Sequence, residues 1–167
     1  MLMKIETLCA PQRGTVCTLE KLPDPVFREK ILGDGFAVLP IDGDVVSPVD
    51  GTVIGVQETR HAVSLSSVRG LEILVHVGIN TVSMKGEGFT VYVRPGESVR
   101  VGQRLLHVDL PLIRGRGCGT ECVVLIINME KTEALSMETA VGTEVPAGKV
   151  PVMKVTLWET KKQEVCV

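Results

Sequence analysis

Two of the three histidines in this 167-residue sequence, His61 and His76, lie where they could act together. A neutral imidazole is a good nucleophile near pH 7, and a phosphoryl group that it has accepted is easily passed on. A second imidazole can donate a hydrogen bond to the phosphoryl oxygens and stabilise the transition state. A carbonyl at Gly78 could accept the proton of His76 Nδ1 and leave Nε2 free to attack. The pair therefore predicts phosphoryl transfer through a histidine.

The same two histidines could instead bind a metal ion, as in a metallohydrolase. A catalytic zinc site usually has three protein ligands and a base, but no acidic residue has an evident ligand spacing to this pair. Cys118 and Cys122 lack a second ligand pair at finger-like spacing, and His107 is expected to be an ordinary strand residue. We therefore expect no metal and no other cofactor, and keep the metallohydrolase as the alternative hypothesis.

The two histidines belong to two predicted strands, residues 61–66 and 71–77, which a tight turn separates. If Val68 and Arg69 are the central residues of that turn, the numbers of facing residues add up to 137. The two imidazoles then lie directly opposite each other on one face. Alternation adds three apolar residues to this face, namely Val63, Leu65 and Leu74. A bulge at Gly70 would shift the register by one residue and move the histidines to opposite faces.

The composition favours an all-β fold. Apolar residues make up 44% of the chain and aromatic residues only 3%, so Val, Ile, Leu and Met must form the core. Val and Ile favour strands because their branched Cβ packs well on a pleated surface. The 17 glycines and 9 prolines are spread along the chain, which is typical of many turns between short strands. We expect an antiparallel β-sandwich or barrel-like domain with short helical turns.

Two segments are predicted to be helical. In residues 24–33, Asp24 can cap the N-terminus, Pro25 suits the first helical position, and Gly33 can end the helix. This segment holds more apolar residues than two helical turns need for one buried face. Either all of them point into the core, or some lie exposed as a docking patch. A second, weaker helix is expected at residues 129–137.

Charge and hydropathy exclude several classes of function. The net charge is −2 and there is no basic block, which argues against a nucleic-acid or anionic-membrane partner. No apolar run approaches the ~20 residues that span a bilayer, and residues 1–9 lack the features of a signal peptide. The five cysteines are an odd number without framework spacing, as expected of free thiols in a reducing compartment. These features predict a cytoplasmic protein.

A series of short motifs resembles the glucose-class IIA domains of the bacterial sugar phosphotransferase system. The series contains a proline–aspartate segment, several glycine-containing turns and a motif around each histidine. In chain order the motifs are Leu22–Phe27, Gly33–Gly35, Pro48–Thr52, Thr59–Ala62, His76–Val82, Gly86–Phe89 and Asp109–Leu112. Their occurrence in this order is highly specific, and the resemblance covers roughly residues 10–158.

The resemblance implies an antiparallel β-sandwich with a shallow active-site depression. It implies that HPr, the histidine phosphocarrier protein, phosphorylates His76, which then passes the phosphoryl group to a cysteine of a sugar-specific IIB domain. His61 would stabilise the phosphoryl group, and Thr59 would hold His61 through its hydroxyl. Partner docking would use an apolar ring and an acidic rim residue, namely Phe27, Ile31, Leu32 and Leu74 with Asp24. A second hypothesis is a regulatory module that docks to transporters or enzymes according to the phosphorylation state of His76.

The sequence departs from the family pattern at three places. Asn80 replaces the usual aspartate after the His76 motif, which removes a rim charge and predicts weaker docking rather than lost chemistry. Gln57 stands where an aromatic residue often rings the site. The glycine-rich residues 114–119 argue against the short helix that the family often has there.

The resemblance divides the chain into a lead (residues 1–9), a phosphocarrier domain (residues 10–158) and a tail (residues 159–167). Met1 and the short lead favour a free-standing protein over a domain fused to membrane components. The sugar is left open among the glucose, N-acetylglucosamine and β-glucoside classes, as are the oligomeric state and any regulatory role.

Overall fold

The computed structural model describes residues 4–159, which consist mostly of strands joined by turns. Two short α-helices are present, α1 at Pro25–Arg28 and α2 at Leu110–Gly115. Single 3-10 turns occupy Leu19–Lys21, Thr81–Met84 and Met129–Lys131. In chain order the strands are β1 Lys4–Cys9, β2 Gly14–Cys17, β3 Asp34–Pro40, β4 Asp44–Val46, β5 Gly51–Val56, β6 Ala62–Ser67, β7 Glu72–Ile79, β8 Phe89–Val91, β9 Ser98–Val99, β10 Arg104–Val108, β11 Gly119–Ile126, β12 Thr132–Met137, β13 Glu144–Val145 and β14 Pro151–Leu157.

The strands form one large sheet and two small ones. The large sheet has eight strands in the order β13–β2–β3–β11–β7–β6–β5–β9. The small sheets have the orders β1–β14–β12 and β4–β10–β8. Neighbouring strands are antiparallel throughout residues 4–159. The predicted all-β antiparallel sandwich is confirmed.

The main core lies between the inner face of the large sheet and the two small sheets. It is built mainly from buried valine, leucine and isoleucine side chains of all three sheets. From β6 and β7 it receives Val63, Leu65, Ile73 and Val75, which are fully buried. β-branched side chains pack well on pleated surfaces, so a core poor in aromatic residues can still be filled.

A second apolar cluster covers the outer face of the large sheet beneath α1. Its buried members are Leu19, Leu22, Phe27, Ala37, Ile79, Val123 and Leu125. Because β7 and β11 contribute to this cluster, α1 is packed beside the part of the sheet that carries His76. This second cluster therefore builds one wall of the site described below.

Helix α1 begins as predicted but ends earlier. The Asp24 carboxylate accepts a hydrogen bond from the amide of Val26, and Pro25 occupies the first helical position. The helix stops at Arg28 because Lys30 adopts a left-handed conformation with φ of 56°. The amide of Ile31 then donates to the carbonyl of Val26 at 3.1 Å, as in a Schellman motif. Gly33, predicted to end the helix, lies in the chain beyond this motif.

Two other predictions about helices are wrong. The segment 129–137 is a single 3-10 turn followed by strand β12, because β12 pairs with β14 along its length. A helix does extend into the glycine-rich segment 114–119, since α2 includes Arg114 and Gly115. The carboxylate of Asp109 caps its N-terminus by accepting from the amide of Leu112, which outweighs the low helix propensity of one terminal glycine.

The fold begins before residue 10. Strand β1 starts at Lys4 and pairs with β14, so the described part of the predicted lead is an edge strand of a sheet. Of the predicted tail, only Glu159 falls within the described range, and residues 160–167 lie outside it.

Candidate active site

His76 lies on the outer face of the large sheet, on a strand that has neighbours on both sides. Ala62 of β6 faces it on one side and Val123 of β11 on the other. Leu74, two residues earlier on β7, shares this face and packs against the second apolar cluster. His76 is partly buried here, so its ring can meet a partner only from the outer face.

The predicted register of β6 and β7 is wrong by one residue. Ala62, and not His61, faces His76, and the numbers of facing residues add up to 138 throughout the pair. The turn has three residues rather than two because Gly70 adopts a φ of +92° and Ser67 pairs with Leu71. Val63 and Leu65, predicted beside the histidines, therefore point into the main core.

The two imidazole rings nevertheless lie side by side. Their centroids are 4.9 Å apart, and the ring planes meet at 80°. His61 belongs to the bend that precedes β6, so strand alternation does not govern the direction of its side chain. The bend results from a left-handed Arg60 (φ 61°), whose amide donates to the carbonyl of Gln57.

Thr59 lies next to His61. Its Oγ1 is 2.7 Å from Nδ1 of the His61 ring, which is the contact that the family resemblance implied. One ring nitrogen of His61 is thus held by a neighbour two residues away, and Nε2 remains as the other polar atom of the ring. His61 is 7% exposed, so this hydrogen bond also satisfies a buried polar atom.

Phe27 of α1 packs against the other side of His76, with 4.9 Å between ring centroids and an edge-on geometry. Nδ1 of His76 is buried and makes no hydrogen bond with any residue in the range 4–159. The predicted hydrogen bond from Nδ1 to the carbonyl of Gly78 is therefore absent, although that carbonyl lies close enough to oppose the decrease in the pKa of His76. The site thus holds Nδ1 against the protein, and Nε2 is the other polar atom of this ring.

Burial favours the neutral form of both imidazoles. Desolvation, and next the neighbouring His61, lower the pKa of His76 from 6.5 to about 4. The carbonyl of Gly78 and the carboxylate of Asp24 oppose this decrease only in part. Burial also lowers the pKa of His61, and a hydrogen bond with the backbone of Thr59 opposes this decrease. At neutral pH the His76 ring is thus uncharged.

The residues proposed for docking fall into a buried group and an exposed group. Phe27 is 4% exposed and Leu74 is partly buried, so both belong to the wall of the site. Ile31 and Leu32, which directly follow α1, are 63% and 48% exposed. The structure thus favours the split that the sequence left open. Asp24 lies close enough to influence the pKa of His76.

Asn80 ends the β7 segment in a left-handed conformation with φ of 63° and is exposed. Asparagine and aspartate both tolerate this conformation better than most residues, so the backbone accepts either one and does not explain the substitution. The next turn contributes Val82, an apolar side chain with 58% exposure that the sequence analysis did not single out. The signal that could have identified Val82 was its place in the His76–Val82 motif, two residues after Asn80.

The structure also places the other side chains that the sequence offered as metal ligands. Within residues 4–159, no group of three or more His, Cys, Asp and Glu side chains has the geometry to hold a metal ion. His107 lies on β10 and contacts Asp44 at 2.9 Å. The described cysteines Cys9, Cys17, Cys118 and Cys122 are free, and Cys166 lies outside this range. No helix of residues 4–159 is long and apolar enough to cross a bilayer.

The chain matches known proteins along most of its length. Residues 6–132 match the family "phosphoenolpyruvate-dependent sugar phosphotransferase system, EIIA 1". The glucose-specific EIIA component of Bacillus cereus is 43% identical over 91% of this chain and 91% of its own length. That of Halalkalibacterium halodurans is 40% identical over 90% of this chain and 86% of its own length. The solved glucose permease IIA from Mycoplasma capricolum superposes with a TM-score of 0.81 at 33% identity, covering 90% and 96% of the two chains.

This chain therefore belongs to the EIIA 1 family of the phosphoenolpyruvate-dependent sugar phosphotransferase system. It is a phosphocarrier of sugar phosphotransfer, that is, a transferase component. A glucose-specific EIICBA component of Streptococcus pneumoniae matches 77% of this chain with only 19% of its own length, so related domains also occur inside larger proteins. The metallohydrolase alternative has no support from these similarities or from the site.

Proposed function

We propose that this protein accepts a phosphoryl group from phosphorylated HPr on Nε2 of His76 and passes it to a cysteine of a sugar-specific IIB domain. The observation that carries the proposal is the pair of imidazole rings at 4.9 Å on a face that partners can reach. In the first step the Nε2 lone pair of His76 forms a bond to phosphorus while the bond to the HPr histidine breaks. In the second step a thiolate of IIB attacks phosphorus, and the His76 imidazole leaves in its neutral form.

The properties of His76 support its role as the acceptor. A protonated imidazole has no lone pair at Nε2, and a pKa of about 4 keeps the ring unprotonated at neutral pH. Burial of Nδ1 against the sheet directs attack to the other nitrogen. Phe27 covers the ring at 4.9 Å and restricts its rotation, so the nucleophile is already oriented when a partner docks.

His61 acts as the stabiliser of the transferred group. In the proposed state the Thr59 hydroxyl donates to Nδ1 of His61, so Nε2 carries the proton and donates to a phosphoryl oxygen. The dianionic phosphoryl group also favours the protonated form of His61 and counteracts the effect of burial on its pKa. In that form Nδ1 donates to the Thr59 hydroxyl instead, and Nε2 still donates to the phosphoryl group. Such a fixed donor stabilises charge in the transition state of phosphoryl transfer.

Docking uses the exposed apolar residues around the site. Ile31, Leu32 and Val82 are each about half exposed or more, and such side chains are candidates for burial against a partner. Asp24 supplies a negative charge that suits a basic partner surface. The same surface would serve transporters or enzymes that dock according to the phosphorylation state of His76.

The relatives support a proposal about the sugar, and the composition supports one about the compartment. The relatives from Bacillus cereus and Halalkalibacterium halodurans are named as glucose-specific, which favours a glucose IIB domain as the acceptor. The free cysteines of the described residues support a reducing compartment, in agreement with a cytoplasmic location.

The proposal is tested by incubating the protein with phosphoenolpyruvate, enzyme I and HPr, followed by intact-mass analysis. The wild-type chain should gain one phosphoryl group, and His76→Ala should gain none because the nucleophile is absent. His107→Ala is the matched control, since His107 is an exposed histidine on another sheet. Phosphorylation of His76→Ala, or its loss in His107→Ala, would contradict the assignment.

A further inference from the structure

The position of His61 requires an explanation, because the register of the ladder would turn it away from His76. Extended by one pair, the register places His61 opposite Val77, whose side chain points into the main core. At a hydrogen-bonded position of an antiparallel ladder, the two facing residues normally exchange two backbone hydrogen bonds. Here the Val77 amide donates to the carbonyl of His61 at 2.7 Å, but the His61 amide does not return the bond to Val77. The ladder is thus half open at His61.

Thr81 takes the place of the missing bond. Its hydroxyl donates to the carbonyl of Val77 at 2.6 Å, and its side chain is fully buried. A buried carbonyl without a partner is costly. By satisfying the Val77 carbonyl, Thr81 lets the His61 amide leave the strand at no such cost, and the bend at Arg60 can then bring the ring of His61 beside His76.

The methyl group of Thr81 is fitted to the turn that follows His76. Gly78 has φ of +81°, and a Cβ placed on it would lie 2.3 Å from Cγ2 of Thr81 and 2.8 Å from the carbonyl oxygen of Gly119. Gly119 belongs to a β-bulge, because the register between β11 and β7 shifts between Gly119 and Cys122. The Thr81 methyl therefore packs into space that only a glycine at position 78 leaves open, and the turn carries the Gly78 carbonyl towards the His76 ring.

We infer that Thr81 is the positioning residue of the histidine pair. Its hydroxyl replaces the ladder hydrogen bond that would otherwise hold His61 in the strand, and its methyl holds the Gly78 turn next to His76. This role rests on the proposed function of the two histidines in phosphoryl transfer. Thr81 touches neither ring directly in this account; it acts through the backbone of Val77 and Gly78.

Two substitutions separate the two parts of the side chain. Thr81→Val keeps the shape and removes the hydroxyl, whereas Thr81→Ser keeps the hydroxyl and removes the methyl. Ser83→Ala is the matched control, since the Ser83 hydroxyl also bonds a backbone carbonyl in the same 3-10 turn, that of Asn80 at 2.7 Å, but is exposed. The rate of phosphoryl transfer from phosphorylated HPr is measured over a range of HPr concentrations, and the fraction of folded protein is measured in parallel.

We expect Thr81→Val to lower the maximal rate by at least about tenfold, because small displacements of reacting groups are costly. KM for phosphorylated HPr should stay within about twofold, since the docking side chains are unchanged. Thr81→Ser should lose less of the rate than Thr81→Val, because it keeps the hydroxyl that frees His61 from the ladder and loses only the methyl beside Gly78. Ser83→Ala should transfer at close to the wild-type rate. A wild-type rate in folded Thr81→Val would overturn the inference, as would an equal loss in Thr81→Ser. If Thr81→Val does not fold, Thr81→Ser alone tests the inference. Retention of most of the transfer rate in Thr81→Ser would then support the inference, and loss of that rate would overturn it.

A measurement on the unphosphorylated protein keeps this test independent of the proposed function. Proton NMR detects magnetisation transfer between the imidazole rings, and titration gives their pKa values. The wild type and Thr81→Ser should retain the ring contact and the low pKa of His76, about 4, whereas Thr81→Val should lose the contact and show a higher pKa. An unchanged ring pair in Thr81→Val would refute the role of Thr81 even if transfer were slow. Failure of the wild type to become phosphorylated would instead refute the proposed function.

Discussion

Replacing His61 with glutamine should separate the two half-reactions of this phosphocarrier. Glutamine retains a hydrogen-bond donor of similar reach but cannot become a cation. Uptake from HPr starts from a reactive phosphohistidine and needs little beyond alignment, so it should largely survive. Delivery to IIB requires a thiolate to approach a phosphoryl group that already bears negative oxygens, and there a cationic neighbour matters more.

The expected size of the effect follows from the separation of the two rings. The ring centroids are 4.9 Å apart, so a unit charge on His61 acts on a unit of phosphoryl charge over roughly that distance. At an effective dielectric constant of about 20, Coulomb's law gives an interaction of about 3 kcal/mol. If this interaction is lost in the transition state, delivery slows by roughly 100-fold.

The assay is rapid-quench transfer from the phosphorylated wild type and the phosphorylated His61→Gln variant to purified IIB. Thr59→Val is a useful companion, because it removes the hydroxyl that lies 2.7 Å from Nδ1 of His61 but keeps both imidazoles. It should give a smaller loss than His61→Gln. Equal delivery rates for the wild type and His61→Gln would refute the electrostatic role. Loss of uptake and delivery together would mean that His61 helps to build the site itself.

Three further predictions concern charge, pH and packing. Asn80→Asp should make the binding free energy for HPr at low salt more favourable by about 0.5 kcal/mol, as for exposed ion pairs. Binding titrations at two ionic strengths test this, and an affinity insensitive to salt in both forms would refute it. Because the unfolded chain protonates His76 near pH 6.5 and the folded protein only near pH 4, the unfolded state binds more protons between these values. The free energy of unfolding should therefore fall by about 2–3 kcal/mol as pH drops through this window, as measured by urea unfolding, and His76→Gln should lack this component. Phe27→Ala should destabilise the fold by about 3 kcal/mol because it empties a buried position, whereas Ile31→Ala should leave stability within ~0.5 kcal/mol and weaken docking; equal destabilisation in chemical unfolding would contradict this division.

Part of the geometry of the site could be predicted from local sequence because it depends on residue types and short spacings. The Thr59–His61 contact spans two residues and formed as expected. The start of α1 was equally accessible, since Asp24 and Pro25 favour a helix N-terminus by themselves. A chain rich in valine and isoleucine with many turn residues also sufficed for the antiparallel sandwich.

The end of α1 and the strand conformation of β12 could not be predicted from local sequence. Lys30 takes the left-handed conformation although its side chain disfavours it, because the Schellman hydrogen bonds at the helix end compensate. Residues 132–137 contain good helix formers, and only pairing with β14 makes them a strand. Tertiary hydrogen bonding outweighs local propensity in both places.

The sequence by itself determined that two histidines would lie near each other on neighbouring strands, because one short turn joins those strands. Only the tertiary structure decided how the rings meet. The three-residue turn at Gly70 moved the register by one pair, which by alternation alone would have separated them. The rings come together because Thr81 satisfies the Val77 carbonyl and His61 leaves the ladder, while Phe27 arrives from α1 to cover His76. Periodicity describes regular strands, and these contacts arise where a strand ends and other segments supply its missing hydrogen bonds and its cover.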